Sequence, residues 1–415
     1  MPFVFPCRFD LEIERTEAMI DTALLSECRE LVMGRRDEIV GLCQEMVRIP
    51  SPSGDEGALA GFILRAMEHL DYDEAWIDPA GNVIGVVKGG DGPCTVFNGH
   101  MDVVDVGNPN EWEHPPFAAE IHDVTLWGRG SADMKGGLAA MIYAAGLFKK
   151  WDRQPKGDVI VTAAGMEEVG GWGSHLMVKA GTLDAERAVV GEPTGLHLLP
   201  GHRGRIILNA HIKGRSMHGS NVEYEANPLL SLARFLKDLP ELSAALAERL
   251  SYLTVAPTAI SAPPTGANVT PPEVTQTLDV RVGPDVDAEM IVRELNDHLG
   301  KSLGRECSGS VAIARQALRT HTGIELEVDD LVPGYEVPAG HPWAQEAGTT
   351  LGTVLGRDPW GPLALFTTDA CHLGRAGIPS LLFGPGDISV AHTTGEKLPI
   401  EQLLEAAVGY VALTA

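Results

Sequence analysis

Thr95-Val-Phe-Asn-Gly-His100-Met-Asp102 and Gly128-Arg-Gly-Ser-Ala-Asp133-Met-Lys-Gly136-Gly137 are the stretches whose reading decides the fold. The first is a short apolar strand ending in His-x-Asp. The second follows a strand over 124–127 and turns through glycines into a helix, because Leu138, Met141, Ile142, Ala145 and Leu147 recur at roughly helical spacing. Asp133 is therefore expected at a strand-to-helix junction beyond the end of a parallel strand, where open α/β sheets build their sites. A carboxylate two residues after an imidazole is a common partner of a metal-binding histidine, fixing its tautomer and orientation. His100 and Asp102 are thus candidates, though the pair is weak by itself.

Outward from that centre, the pattern is helix alternating with strand, as in an α/β domain. Apolar residues over 24–47 suggest one or two amphipathic helices, stopped by Pro50 and Pro52. A helix over 56–70 and strands over 74–77 and 83–87 follow. Residues 1 to about 22 form a short extension with no readable role. Downstream, Asp158-Val-Ile-Val-Thr-Ala-Ala-Gly-Met-Glu167-Glu168 and Ala188-Val-Val-Gly-Glu192 are buried-type strands that run into carboxylates. Apolar strands thus end in His100, in Asp133, in the Glu167-Glu168 pair and in Glu192. Repetition at strand C-termini places these groups on one rim.

The pattern changes near Gly201. An alternating strand over 205–213, a helix over 226–239, a strand over 274–282, a helix over 288–299 and a last strand over 324–328 read as a β-α-β-β-α-β-like unit. The chain then returns to a helix over 343–355, Phe366-Thr-Thr-Asp369, a strand over 380–383, His392 and a terminal helix over 401–411. The expected fold is α/β: a catalytic domain (1–202 and 333–415) with a mixed, mainly parallel sheet flanked by helices. An inserted α+β, ferredoxin-like lid or dimerisation domain (203–332) completes it.

Composition agrees and excludes. At 415 residues about two domains are expected, and 44% hydrophobic with 21% charged residues is globular. With 32 Lys plus Arg against 57 Asp plus Glu, the net charge of −25 argues against nucleic acid or an anionic membrane as partner. The six cysteines form no CxxC pair, so neither a thiolate zinc site nor a disulfide framework is expected, and a cytoplasmic setting fits. The first residues lack the basic and apolar regions of a signal peptide, and no run is long enough for a membrane helix.

His100, Asp133, Glu168, Glu192 and His392 supply two imidazoles and three carboxylates, a donor set that suits Zn²⁺ first, with Co²⁺ or Mn²⁺ as alternatives. A bridging Asp133 would give each of two metals one His, one terminal carboxylate and the shared aspartate.

On the motif set GHMDVV, GRGSADMKGG, GMEE, GEPT and AHTTGE, the chain over about 40–415 resembles the dinuclear zinc exopeptidases and deacylases. That family includes acetylornithine deacetylase, succinyl-diaminopimelate desuccinylase, aminoacylase and the glutamate carboxypeptidases. The resemblance implies His100, Asp133 and Glu192 on one metal and Asp133, Glu168 and His392 on the other. It implies Glu167 as general base and Asp102 as the orienter of His100. In Gly214-Arg-Ser-Met-His218-Gly-Ser220 it implies that His218 steadies the substrate carbonyl, often across a dimer interface. Asn268 and Arg281 match positions that contact the substrate's carboxylate, for which arginine is the natural partner.

The expected activity is hydrolysis of the amide C–N bond of a small N-acyl amino acid by a metal-activated water. A dipeptidase or carboxypeptidase on true peptides is the alternative, and an inactive metal-binding or interaction protein a further one. The expected assembly is a homodimer through the inserted domain. His69, His122 and His298 are read as surface residues. His202, Arg203 and His372 are left as hinge or substrate groups, and none of these is assigned to a metal.

Overall fold

The computed structural model describes residues 22–415, so the expected extension over 1 to about 22 lies almost wholly outside the described residues. Two helices open it, α1 (Thr22–Met33) and α2 (Arg36–Arg48), followed by α3 (Gly57–His69). Helix α2 stops at Ile49 because Pro50 disfavours helical backbone in the residue before it. Strands β1 (Glu74–Ile77), β2 (Val83–Val87) and β3 (Thr95–His100), helix α4 (Gly136–Leu147), strand β4 (Val159–Ala164), helix α5 (Trp172–Lys179) and strand β5 (Arg187–Val190) come next. A second group comprises β6 (Gly204–Lys213), α6 (Pro228–Ala247), β7 (Thr254–Ser261), β8 (Glu273–Val282), α7 (Ala288–Ser302) and β9 (Ser308–Ile313). After a hairpin, β10 (Arg315–Arg319) and β11 (Glu325–Asp329), the chain ends with α8 (Pro342–Leu355), α9 (Ala370–Arg375), β12 (Ser380–Leu382) and α10 (Ile400–Thr414).

The main sheet has the order β1-β2-β4-β3-β5-β12. Strands β4, β3, β5 and β12 run parallel, and β1 and β2 are antiparallel additions at one edge. Every residue of β2, β3, β4 and β5 is buried, because helices cover both faces; this is why these strands read as largely apolar runs, and why Asn98 and Thr162 inside them bond to each other. On one face Phe97 packs with Leu138, Leu351 and Tyr410; on the other Val96 packs with Met177, Leu373 and Leu382. Truncating Phe97 to alanine would cost about 3–5 kcal/mol. All of α4 is buried. Gly137 in its first turn lets the helix meet the end of β5, since a Cβ there would lie 2.1 Å from the Gly191 carbonyl oxygen.

The second sheet is antiparallel with the order β7-β8-β6-β9, the expected ferredoxin-like arrangement. Alternate residues of β6 and β8, among them Leu208, Ile212, Leu278 and Val280, bury against Phe235 of α6 and Leu295 of α7.

Three expectations need correction. The strand over 124–127 is Thr125–Trp127, and it lies not in the main sheet but in a small antiparallel sheet between Glu120–His122 and Lys397–Pro399. Asp123 and Val124 both take positive φ, 46° and 55°, and close a tight hairpin that pairs this strand with its neighbour in sequence. In the second sheet β9 takes the place expected for the strand near 324–328, which instead pairs locally with β10, and the short strand Leu331–Val332 adds a fifth strand beside β6. Ser-Gly-Ser opens β9 and hides it from strand propensity. Helix α6 continues past Pro240, where the sequence suggested a stop, because Leu239 and Leu246 keep its apolar face on the sheet.

Candidate metal centre

The carboxyl ends of β3, β4 and β5 lie side by side, so their outgoing residues share one rim. His100 is the last residue of β3, Glu167 and Glu168 follow β4, and Glu192 follows β5. Asp133 arrives from the turn before α4, and His392 from the loop after β12.

Asp133 is the middle of the cluster. Its Oδ1 lies 3.1 Å from His100 Nε2 and its Oδ2 3.1 Å from His392 Nε2. The same His392 nitrogen is 3.0 Å from Glu168 Oε2. Ligand atoms of His100, Asp133 and Glu168 all fall within 4.8 Å of one another. Glu192 is buried, and its Oε1 has no hydrogen-bond partner.

Electrostatics follow from this crowding. Burial pushes the Glu167 and Glu192 carboxyls well above the usual range, and although His100 pulls them back, the neighbouring carboxylates push further up. Glu168 is raised for the same first reason, with Asp133 adding to it. For Asp133, burial is outweighed by hydrogen bonds with His100 and His392, which hold it below the usual range. His392 is pushed up to about 10 by its bonds to Asp133 and Glu168. Burial depresses His100, but Asp133, Glu167 and Glu192 carry it well above its ordinary value. A buried group of carboxylates, one with an orphaned oxygen, and imidazoles aimed at both oxygens of a single aspartate fit divalent cations, whose charge would offset the repulsion.

Asp102 differs from its expected part. His100 Nδ1 bonds to the Asp102 main-chain oxygen at 2.9 Å, and the carboxylate stands 3.6 Å away. That carboxylate instead accepts the Glu167 N–H at 3.0 Å and the Glu168 N–H at 3.1 Å, with Ser53 Oγ donating at 2.7 Å. It therefore fixes the backbone of the Glu167-Glu168 pair.

Sequence reasoning missed several supports. Buried Glu396 accepts the N–H groups of Ala132 and Asp133 through Oε1, at 3.2 and 3.1 Å, and pairs with Arg129 through Oε2. Glu56 accepts from Gly54 and Met166 N–H. Asp369, pushed up to about 6 by burial, accepts from Ser174 at 2.7 Å while its Oδ1 has no partner. The Gly-Glu of AHTTGE and the Asp of FTTD were visible, but only the tertiary structure shows whom they meet.

The other sequence candidates lie apart. His218 and Asn268 meet each other, with Nε2 and Nδ2 3.0 Å apart, on the exposed surface beside the second sheet. Arg281 on β8 is engaged by Asp279 through Nε and Nη2, at 2.8 and 3.0 Å. Among the described residues neither hydrogen bonds nor ion pairs link His218, Asn268 or Arg281 to the rim. His202 and His372 are buried, and burial holds both down at about 4; His372 bonds to the Gly170 carbonyl. His298, expected at the surface, is half buried and bonds to the Phe235 carbonyl.

The model of peptidase family M20/M25/M40 matches residues 96–415, which include every rim residue named above. The chain belongs to that family. As a member it is a hydrolase of amide C–N bonds that binds divalent metal. It is 28% identical over 381 residues to the Escherichia coli K12 protein YgeY, covering 89% of this chain and 92% of that one. To the N-formyl-4-amino-5-aminomethyl-2-methylpyrimidine deformylase of Bacillus subtilis it is 27% identical over 401 residues, with 89% and 92% covered. Its fold matches the Bacillus subtilis YXEP protein, a dinuclear metal-binding peptidase, with a TM-score of 0.69 at 16% identity over 92% of this chain and 98% of that one.

Proposed function

We propose that this chain removes the acyl group from a small N-acyl amino acid, with two divalent ions, Zn²⁺ first, held on the rim. His100, Asp133 and Glu192 would hold one ion, and Asp133, Glu168 and His392 the other. The observation that carries this reading is that the two oxygens of Asp133 each face a different imidazole, as a bridging ligand requires. When bound, such a pair of ions polarises the scissile carbonyl and lowers the pKa of water.

The remaining steps belong to the chain's own groups. Glu167 takes a proton from the attacking water and delivers it to the leaving nitrogen, a task for a carboxyl whose pKa is set by burial and neighbours. Asp102 holds the Glu167 backbone in place for that transfer. Residues 203–332 act as a lid inserted between the two parts of the catalytic domain, 1–202 and 333–415. On closure His218 donates to the carbonyl oxygen, and Asn268, already beside it, and Arg281, through its remaining Nη1, meet the substrate carboxylate. The exposed edge strand β7 supports pairing of two lids in a homodimer. A cytoplasmic setting agrees with the described cysteines, all free; no described helix is long and apolar enough to cross a membrane. The deformylase relative, named for removal of a small acyl group, supports the deacylase reading over the peptidase one.

The test is a panel of N-acyl amino acids and dipeptides offered to the Zn²⁺-, Co²⁺- and Mn²⁺-loaded protein, with Glu167→Gln and Glu168→Gln alongside. Glu167→Gln should keep both ions and lose about 10²-fold or more in kcat; Glu168→Gln should lose affinity for one ion. Equal metal loss and equal residual rates in the two variants refute the assignment. Mixing His218→Ala with Glu167→Ala subunits tests action in trans: one complete site should reappear in each mixed dimer. No rise above either parent, with subunit exchange confirmed, excludes it.

A further inference from the structure

At the edge of the small antiparallel sheet a second group of imidazoles and carboxylate converges. Glu120 and His122 are two residues apart on the edge strand Glu120–His122 and so project from the same face. His114, from the loop before it, joins them. His114 Nδ1 and His122 Nε2 each lie 2.9 Å from the same oxygen, Glu120 Oε2, and the ligand atoms of all three residues fall within 4.8 Å of one another.

The imidazoles are not placed by chance rotation at a surface. Their rings stack with centroids 4.2 Å apart and planes 24° from parallel, so the two nitrogens face one point from the same side. His114 is backed by the Trp127 ring at 4.8 Å, and the Lys397 ammonium covers that indole at 4.4 Å. Trp127 is itself the register partner of both Glu120 and Lys397. The strand pairing therefore places Trp127 behind His114, while the donor atoms of the three residues converge on one another at the sheet edge. His114 retains 17% side-chain exposure, Glu120 42% and His122 52%, which leaves room for water at a fourth position.

We infer that His114, Glu120 and His122 form a separate surface site for one Zn²⁺ ion, distinct in its ligands from the rim. Two neutral imidazole nitrogens and one carboxylate oxygen, completed by water, are a donor set Zn²⁺ accepts in tetrahedral geometry. With Zn–N and Zn–O bonds of about 2.0–2.2 Å, tetrahedral donors stand about 3.3 Å apart. The two contacts to Glu120 would need to open by only about 0.4 Å, which exposed side chains allow. The ion would replace two hydrogen bonds to one carboxylate oxygen and tie the loop bearing His114 to the edge of the sheet. His122 lies at the surface as expected, and the proposal gives that surface position a role.

The site is tested on the full chain by equilibrium dialysis against Zn²⁺ followed by elemental analysis, comparing wild type with His122→Ala, Glu120→Gln and His114→Ala. Wild type should bind one Zn²⁺ per chain more than each variant. Glu168→Gln, which alters the rim, should keep that extra ion, so failure of the rim assignment and failure of this one give different stoichiometries. His114→Ala removes a ring that packs on Trp127 and could disturb the fold, so the exposed His122→Ala decides. Hydrolase activity of His122→Ala should stay within about twofold of wild type. In the Co²⁺-loaded wild type, ring protons of both His114 and His122 should show paramagnetically shifted resonances. Equal Zn²⁺ content in wild type and folded His122→Ala, or unshifted His122 resonances, overturns the inference.

Discussion

Asp102→Asn separates two roles that the sequence pattern alone merges. If the carboxylate acted on His100, its loss would weaken a metal, since such supporting partners are worth about 10–100-fold in affinity. The structure instead gives His100 Nδ1 to the main-chain oxygen of Asp102, which the substitution leaves intact. What changes is the grip on Glu167 and Glu168: an amide can accept only one of the two N–H groups now held at 3.0 and 3.1 Å, and its own NH₂ would face the other. A hydrogen bond to a charged group contributes about 1.5–3 kcal/mol. Losing about 2 kcal/mol from the alignment of Glu167 corresponds to a fall of about 30-fold in kcat. KM should change little. The assay is steady-state turnover of an N-acyl amino acid at rising Zn²⁺, with metal content measured on the same samples. Recovery of full rate at saturating Zn²⁺ would refute the reasoning, because the defect would then lie in metal affinity through His100.

Further outcomes follow from the buried groups around the centre. Arg129→Met leaves the Glu396 carboxylate buried without its cation and should cost about 3–5 kcal/mol in denaturant unfolding. Adding Glu396→Gln should return part of that loss; a double variant no more stable than the single one would show that Arg129 acts through its stacking on Trp112 instead. Metal removal should make stability depend on pH. In the metal-free chain Glu167, Glu168 and Glu192 are raised above their ordinary 4.5, so their contribution is complete below that value and is lost as pH rises. His392, raised to about 10, has the same sign, and Asp133, held low, the opposite one. The gap in melting temperature between loaded and stripped protein should therefore widen as pH is raised from about 5 to about 8. A gap that narrows over that window would contradict the account.

By itself the sequence determined the α/β alternation, because strands covered on both faces must be apolar along their whole length, and it determined which acids and imidazoles end those strands. His100, Glu167, Glu168 and Glu192 were legible for that reason: each lies at or just beyond the end of a largely apolar strand. Asp133 was found for a partly mistaken reason, since the strand before it belongs to the small sheet, yet the Gly136-Gly137 helix start placed it correctly. The strand and helix order around the second sheet was legible from period-two and helical spacing, but not strand β9, whose Ser-Gly-Ser start carries little strand preference. Only the tertiary structure decided the partners. The carboxylate of Asp102 holds Glu167 and Glu168, 65 and 66 residues away, and Glu396 caps the Asp133 turn from 263 residues away. Hydrogen bonds between such distant residues leave no periodic trace in the chain, because nothing in local spacing records which loop will lie against which. The cluster of His114, Glu120 and His122 depended on the hairpin at Asp123 and Val124, whose positive φ angles turn one strand back on the other. A sequence shows the donors there, but only the pairing of Trp127 with Glu120 and Lys397 fixes where they point.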